Sequence, residues 1–181
     1  VYNAPSVAST SISMVNDMGA IVGETRSDLT PFGLIRGFLY QSGNFSEIHM
    51  PGADLTRAYG INDSGIIVGH FQNSDAISKP FVFSAGTYTE LTLPNAPGGS
   101  ASAIAFSISD NGSILGTYRD NASVTKTWVR LPNGTFEYPD LPGSGRAIND
   151  AGQIAGSYLD AANGNARTAF LATPVPEPAS L

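Results

Sequence analysis

Ile61-Asn62-Asp63-Ser64-Gly65-Ile66-Ile67-Val68-Gly69 decides the fold, because the chain repeats it. It stands first as Val15-Asn16-Asp17-Met18-Gly19-Ala20-Ile21-Val22-Gly23. It returns as Ile108-Ser109-Asp110-Asn111-Gly112-Ser113-Ile114-Leu115-Gly116 and as Ile148-Asn149-Asp150-Ala151-Gly152-Gln153-Ile154-Ala155-Gly156. The four aspartates stand roughly 40–50 residues apart, the period of a solenoid, propeller or array.

An apolar alternating run leads into each phrase: Ser11–Val15, Ala58–Ile61, Ala103–Ile108 and Ala147–Ile148. A second run leads out: Ala20–Gly23, Ile66–Gly69, Ser113–Gly116 and Gln153–Gly156. Two such runs joined by Asn-Asp-x-Gly predict a hairpin, with glycine free to take positive φ. The repeat turns are therefore assigned to Asn16, Asp17 and Gly19; Asn62, Asp63 and Gly65; Asp110 and Gly112; and Asn149, Asp150 and Gly152.

A third strand opens at Arg36, Lys79, Lys126 or Arg167, two residues before its first core position. A second turn carries Gly43, Gly86 or Gly134, and a fourth strand carries Phe45, Tyr88 or Phe136. Each of these aromatics precedes a proline, Pro51, Pro94 or Pro142. Proline gives no donor to a ladder and suits the end of an edge strand. Four antiparallel strands in about 45 residues make a unit the size of a propeller blade.

The expected fold is thus all-β: a four-bladed β-propeller over residues 1–174. Its four-stranded antiparallel blades fall near residues 11–51, 56–97, 102–142 and 145–174. Helical repeats fit poorly, since glycine and proline interrupt every window that a helix would need. A parallel β-helix is the second choice, because its coils are shorter.

The fourth unit stops early. After Ala169-Phe170-Leu171 no Gly-x-aromatic turn follows. The start of the chain matches the missing piece: Val1-Tyr2-Asn3-Ala4-Pro5 precedes unit one as Leu93-Pro94-Asn95-Ala96-Pro97 precedes unit three. Val1, Tyr2, Asn3, Ala4, Pro5, Ser6 and Val7 are therefore expected to form the outer strand of blade four, in their own ring or a neighbour's. An unpaired sheet edge invites such a strand.

Composition narrows the function classes. Charged residues make up 13% of the chain, with 20 glycines and 12 prolines, which suits short strands and turns. A net charge of −6 disfavours nucleic acid and anionic membrane as partners. The absence of cysteine excludes disulfides, thiolate metal sites and a cysteine nucleophile. No apolar run is long enough to span a bilayer. A chain beginning at Val1 is expected to have lost a leader or to have been cut.

Two features carry a resemblance. The Ile-Asn-Asp-x-Gly-x-Ile-Val-Gly phrase, followed by a Phe-Leu-Tyr-like strand, resembles the bacterial extracellular HAF-repeat family from about Ser11 to Leu171. Unit three departs from it with Ser109 in place of asparagine. The tail Val175-Pro176-Glu177-Pro178-Ala179-Ser180-Leu181 resembles the start of a PEP-CTERM sorting signal. In that family an apolar helix and a basic cluster follow, and an exosortase recognises and removes them. Residues 175–181 are read as the remnant of such a signal. The resemblance implies an exported, extracellular or cell-surface protein whose membrane contact runs only through a removed helix. It carries over no catalytic residues.

Asp17, Asp63, Asp110 and Asp150 could ring one end of the propeller and, with carbonyls, hold calcium. Alternatively each Asn-Asp pair caps the amides of its own turn, and this is the reading adopted, with no metal. Arg36, Lys79, Lys126 and Arg167 are read as strand-end caps or carboxylate partners, with anionic polysaccharide as the other option. Phe38, Tyr40, Phe81, Phe83, Trp128 and Phe170 are read as core between blades. Tyr40 and Trp128 are the exceptions that could stack on a sugar. His49 and His70 have no repeat partner, and no triad or carboxylate pair is marked. No enzyme activity and no cofactor are expected. The leading expectation is a secreted structural protein of the cell surface or matrix, partnered by itself and assembling into filaments through terminal-strand exchange. The alternative is a carbohydrate-binding surface module using the variable loops 26–34, 72–78, 119–124 and 159–165.

Overall fold

The computed structural model describes residues 9–27 and 34–174. The proposed assembly strand Val1–Val7 and the sorting motif Val175, Pro176, Glu177 and Pro178 lie outside the described residues, as does most of the 26–34 loop.

Each phrase folds as the centre of one antiparallel sheet. The first sheet runs β1 (Ser9–Val15), β2 (Ile21–Ser27), β3 (Leu34–Gln41), β4 (Asn44–Ile48). The second runs β5 (Leu55–Ile61), β6 (Ile67–Gln72), β7 (Lys79–Ser84), β8 (Thr87–Glu90). The third runs β9 (Ser102–Ile108), β10 (Ile114–Arg119), β11 (Thr125–Arg130), β12 (Phe136–Glu137). The fourth has three strands among the described residues: β13 (Ser144–Ile148), β14 (Ile154–Asp160) and β15 (Ala166–Ala172). In every sheet spatial order follows chain order, so each is a meander. The chain is an all-β propeller of four blades.

The last glycine of each phrase explains the blade's shape. Gly23, Gly69, Gly116 and Gly156 sit opposite Phe38, Phe81, Trp128 and Phe170. A Cβ on Gly69 would collide with the Arg57 carbonyl and the Phe81 ring; one on Gly116 would strike the Ile104 carbonyl and the Trp128 indole. Glycine therefore makes room for a ring laid flat over the central strand. One residue away, the pairing between innermost and second strands slips in every blade, leaving a bulge. Bulges deepen the local twist. The bulged residues of blades two to four meet between blades: Tyr59 and Phe106 lie 5.4 Å apart, and the Arg146 guanidinium sits 4.5 Å over Phe106.

Among the described residues the core consists of three interfaces between successive blades. Ala20, Val22 and Ile48 meet Ile67, Phe71 and Phe81 at the first. Val68 and Leu91 meet Ile114, Tyr118 and Trp128 at the second. Leu115 and Val129 meet Ile148 and Ile154 at the third. Apolar surface leaves water at each, worth about 25 cal/mol per Å². Trp128 is fully buried, with its indole N–H donating to the Thr117 carbonyl at 3.2 Å, so it is core and not a sugar platform.

Among the described residues the arc does not close on itself through these contacts. β1 packs on β5, β5 on β9 and β9 on β13, with no comparable packing of β13 on β1. Ile12, Val15 and Met18 at one end, and Leu159 and Leu171 at the other, are exposed.

Candidate functional site

The four turns gather at one end of the axis. Asp17, Asp63, Asp110 and Asp150 line a shallow cavity of about 220 Å³ with Val15, Ile61, Ile108 and Ile148. Within each turn the glycine amide closes onto the residue three before it, as in Gly65 N–H to the Asn62 carbonyl at 3.0 Å. Gly65 needs φ of +74° for this, and Gly19, Gly112 and Gly152 adopt the same left-handed conformation. The asparagines cap their own turns: Oδ1 of Asn16, Asn62 and Asn149 accepts from Ala20, Ile66 and Gln153 at 2.8, 2.9 and 3.0 Å. Unit three lacks that asparagine, and Asn111 replaces it two residues on. Its Oδ1 accepts from Ser113 N–H at 2.9 Å and Ser109 Oγ–H at 2.7 Å.

Three aspartates, Asp63, Asp110 and Asp150, correct the expectation that each pair caps only its own turn: they reach the neighbouring blade instead. The Asp17 amide donates to Asp63 Oδ1 at 2.9 Å, and the Asp63 amide to Asp110 Oδ1 at 2.8 Å. The Asn111 amide donates to Asp150 Oδ1 at 2.9 Å. Alongside run Asn16 Nδ2–H to the Asn62 carbonyl, Asn62 Nδ2–H to the Ser109 carbonyl and Asn111 Nδ2–H to the Asp150 carbonyl. The carboxylates are thus clasps from blade to blade. Among the described residues no three His, Cys, Asp or Glu gather in a way that could hold a metal ion.

A different feature has the form of a binding site. Two clefts open beside the linkers that join successive blades, each with a lysine of the third strand in its wall. The cleft between blades two and three holds about 320 Å³ and is lined by Lys79, Pro80, Glu90, Leu93 and Ser102. The other, beside the linker from blade three to blade four, holds about 440 Å³ and is lined by Pro97, Tyr118, Lys126, Tyr138 and Asp140. Each lysine comes from the basic series at the start of the third strand. Each is held by a loop aspartate: Lys79 Nζ to Asp75 at 2.9 Å and Lys126 Nζ to Asp120 at 3.4 Å. The loop orients that aspartate first, since Ile77 N–H donates to Asp75 and Ala122 and Val124 N–H donate to Asp120, each at 2.9 Å. Hydrogen bonds to the ionised form favour it. The Asp75 carboxyl is lowered chiefly by Lys79, and the Asp120 carboxyl chiefly by the Val124 amide. In the wider cleft Tyr138 meets the buried Tyr118 edge-on at 5.7 Å, its hydroxyl donating to the Pro94 carbonyl. Tyr138 is half-buried, so part of it faces solvent.

The other basic residues follow the same habit. Arg36 approaches Glu47 at 3.7 Å and donates to the Asp54 carbonyl, while Arg167 donates to Ser157 Oγ at 3.1 Å. His70 is enclosed at 4% exposure, stacked on Tyr59, with no hydrogen bond to Nδ1. Burial, with Arg57 nearby, brings its pKa down to about 4. Burial and Arg36 also lower His49. Reading the sequence missed Asp75, Asp120 and Tyr138; the only signal was an aspartate four to six residues before each lysine.

No family model matches the chain, and no curated protein matches it. Among solved structures it is similar to the N224Q mutant of Aleuria aurantia lectin in complex with alpha-methyl-L-fucoside. That likeness is at 12% identity and a TM-score of 0.41, over 88% of this chain and 58% of the lectin. The same mutant with Fucalpha1-6GlcNAc matches at 15% identity and a TM-score of 0.46, over 92% of this chain and 65% of that one. The chain spans about three fifths of the length of the lectin it matches.

Proposed function

We propose that this chain is a non-catalytic carbohydrate-binding propeller of the bacterial cell surface or extracellular matrix, taking glycan in the clefts beside the linkers that join blades. One observation carries the reading: two clefts each have in their wall a lysine fixed by a loop aspartate. Sugars offer hydroxyls that pair with such fixed charged donors and acceptors, and C–H faces that rest on an aromatic such as Tyr138. Two clefts that share the lysine–aspartate pair also allow weak sites to add through multivalency. Export draws its support from the HAF-like phrase and the PEP-CTERM-like tail at Val175-Pro176-Glu177-Pro178. The test is a glycan microarray followed by titration of the best binder. Tyr138→Ala with Lys126→Ala is expected to weaken binding about tenfold or more, about 1.4 kcal/mol. An array of neutral and acidic polysaccharides without a single binder rejects the proposal.

A second reading has its own observation. The fourth blade has three strands among the described residues where the others have four, and β15 has no outer strand partner there. This favours a structural protein that polymerises by passing a terminal strand, Val1–Val7, into a neighbour's blade. Deleting residues 1–7 and imaging the product by electron microscopy checks it. Unchanged filaments in the deletion variant count against strand exchange.

A further inference from the structure

We infer that the fourth blade of one copy of this chain docks on the first blade of another, continuing between molecules the interface that the chain builds three times within itself. This surface contact is separate from the glycan reading. It also differs from strand exchange, because it uses sheet faces and turns and not the edge of β15.

Each internal interface has the same parts. A turn amide of one blade donates to the aspartate of the next, at Asp63, Asp110 and Asp150. An asparagine Nδ2–H donates to a carbonyl of the next turn. The first residue of the next phrase is covered: Ile61, Ile108 and Ile148 are 3%, 5% and 8% exposed. An aliphatic side chain of the third strand, Leu39, Val82 or Val129, packs against the next blade's core.

Among the described residues both halves of a fourth such interface stand without a neighbouring blade. On blade one, Asp17 is exposed, and among the described residues no amide donates to its carboxylate. Val15, the counterpart of Ile61, is 60% exposed, and Ile12, the counterpart of the buried Ala58, is 62% exposed. On blade four, Leu171 takes the place of Leu39, Val82 and Val129 and is 66% exposed. Asn149 Nδ2–H, lacking a carbonyl on a next turn, folds back onto Gln153 Oε1 at 2.8 Å. Donors stand at one end, an acceptor carboxylate at the other, and apolar side chains at both. The outer part of the first blade's face is already covered at Phe38, so the contact concerns β1, its turn and the inner parts of β14 and β15.

The two surfaces differ, so the contact is heterologous. It builds a ring if the rotation closes and a fibre if it does not. The occupant is a second copy because this chain supplies both complementary halves in the register of its own interfaces.

Sedimentation velocity over a range of concentrations tests this, using the full chain and two variants, Asp17→Lys and Leu171→Arg. Both positions are exposed, and thermal melts monitored by circular dichroism establish that each variant folds. Ile12→Arg replaces Asp17→Lys should the latter melt early. The wild-type chain is expected to associate as concentration rises. Each variant alone is expected to remain monomeric. An equimolar mixture of the two is expected to form a dimer that grows no further, because each variant keeps one intact end. Deleting residues 1–7 leaves association in place if faces dock and abolishes it if strands exchange. A wild-type chain monomeric at all concentrations overturns the inference. So does association that either variant leaves unchanged.

Discussion

At the residue scale, one aspartate in each of the last three repeats holds a neighbour. Asp63 Oδ1 receives the Asp17 amide across a blade boundary. Asp63→Ala removes that acceptor on an exposed turn and is expected to cost about 1 kcal/mol, read as a lower midpoint in urea. Gly116→Ala is expected to cost more, about 2–3 kcal/mol, because the added methyl strikes the Trp128 ring and a backbone carbonyl. His70 sets a pH dependence. Its folded pKa of about 4 lies below the ordinary 6.5, so the unfolded chain binds the proton more readily between those values. Stability is therefore complete above about pH 6.5 and declines as pH falls toward 4, by up to about 3 kcal/mol. Melts of His70→Phe at pH 7 and pH 5 are expected to differ less than those of the unaltered chain. The turn residues were legible because Asn-Asp-x-Gly has few other uses. The direction of the carboxylate was not, since an aspartate beside a turn can reach either its own amides or a neighbour's from one sequence. The role of Gly69 and its equivalents was hidden too, because the aromatic that demands it lies a dozen residues away.

At the element scale, every blade is a meander, and the pattern of alternating runs with turn glycines announced its strands. The fourth unit carries no Gly-x-aromatic turn in the sequence, and among the described residues its sheet ends at β15. The clefts were harder to see. The lysines Lys79 and Lys126 stood out as a series, but the loops that fix them, at Asp75 and Asp120, differ in length and carry no shared phrase. Burial also differs among equivalent strands. β5 and β9 are covered along most of their length, whereas β1 is exposed almost throughout. Amide hydrogen exchange is expected to follow this order, slowest in β6 and β10 and fastest in β1 and β15. Equal protection in all four blades would contradict an arc with two uncovered ends.

At the scale of the whole molecule, stability is divided among three interfaces of one kind, each between neighbours in sequence. Such an array behaves as a sum of units and couplings. A chain ending at residue 142 is thus expected to stay folded, with a lower melting temperature and with Leu115 and Val129 newly exposed, detected as increased binding of a hydrophobic dye. Complete unfolding of that chain would mean that the blades fold only as a set. Repetition told how many blades to expect, but not whether the last meets the first. The phrase is the same in an interior blade and an end blade, and the angle between sheets depends on packing that no short motif encodes. The clasps all point the same way along the chain, each amide toward the aspartate of the following unit. A whole unit added by duplication at either terminus would find its fastening already waiting, so descendants of this gene could count more spokes or fewer without redesigning a single joint.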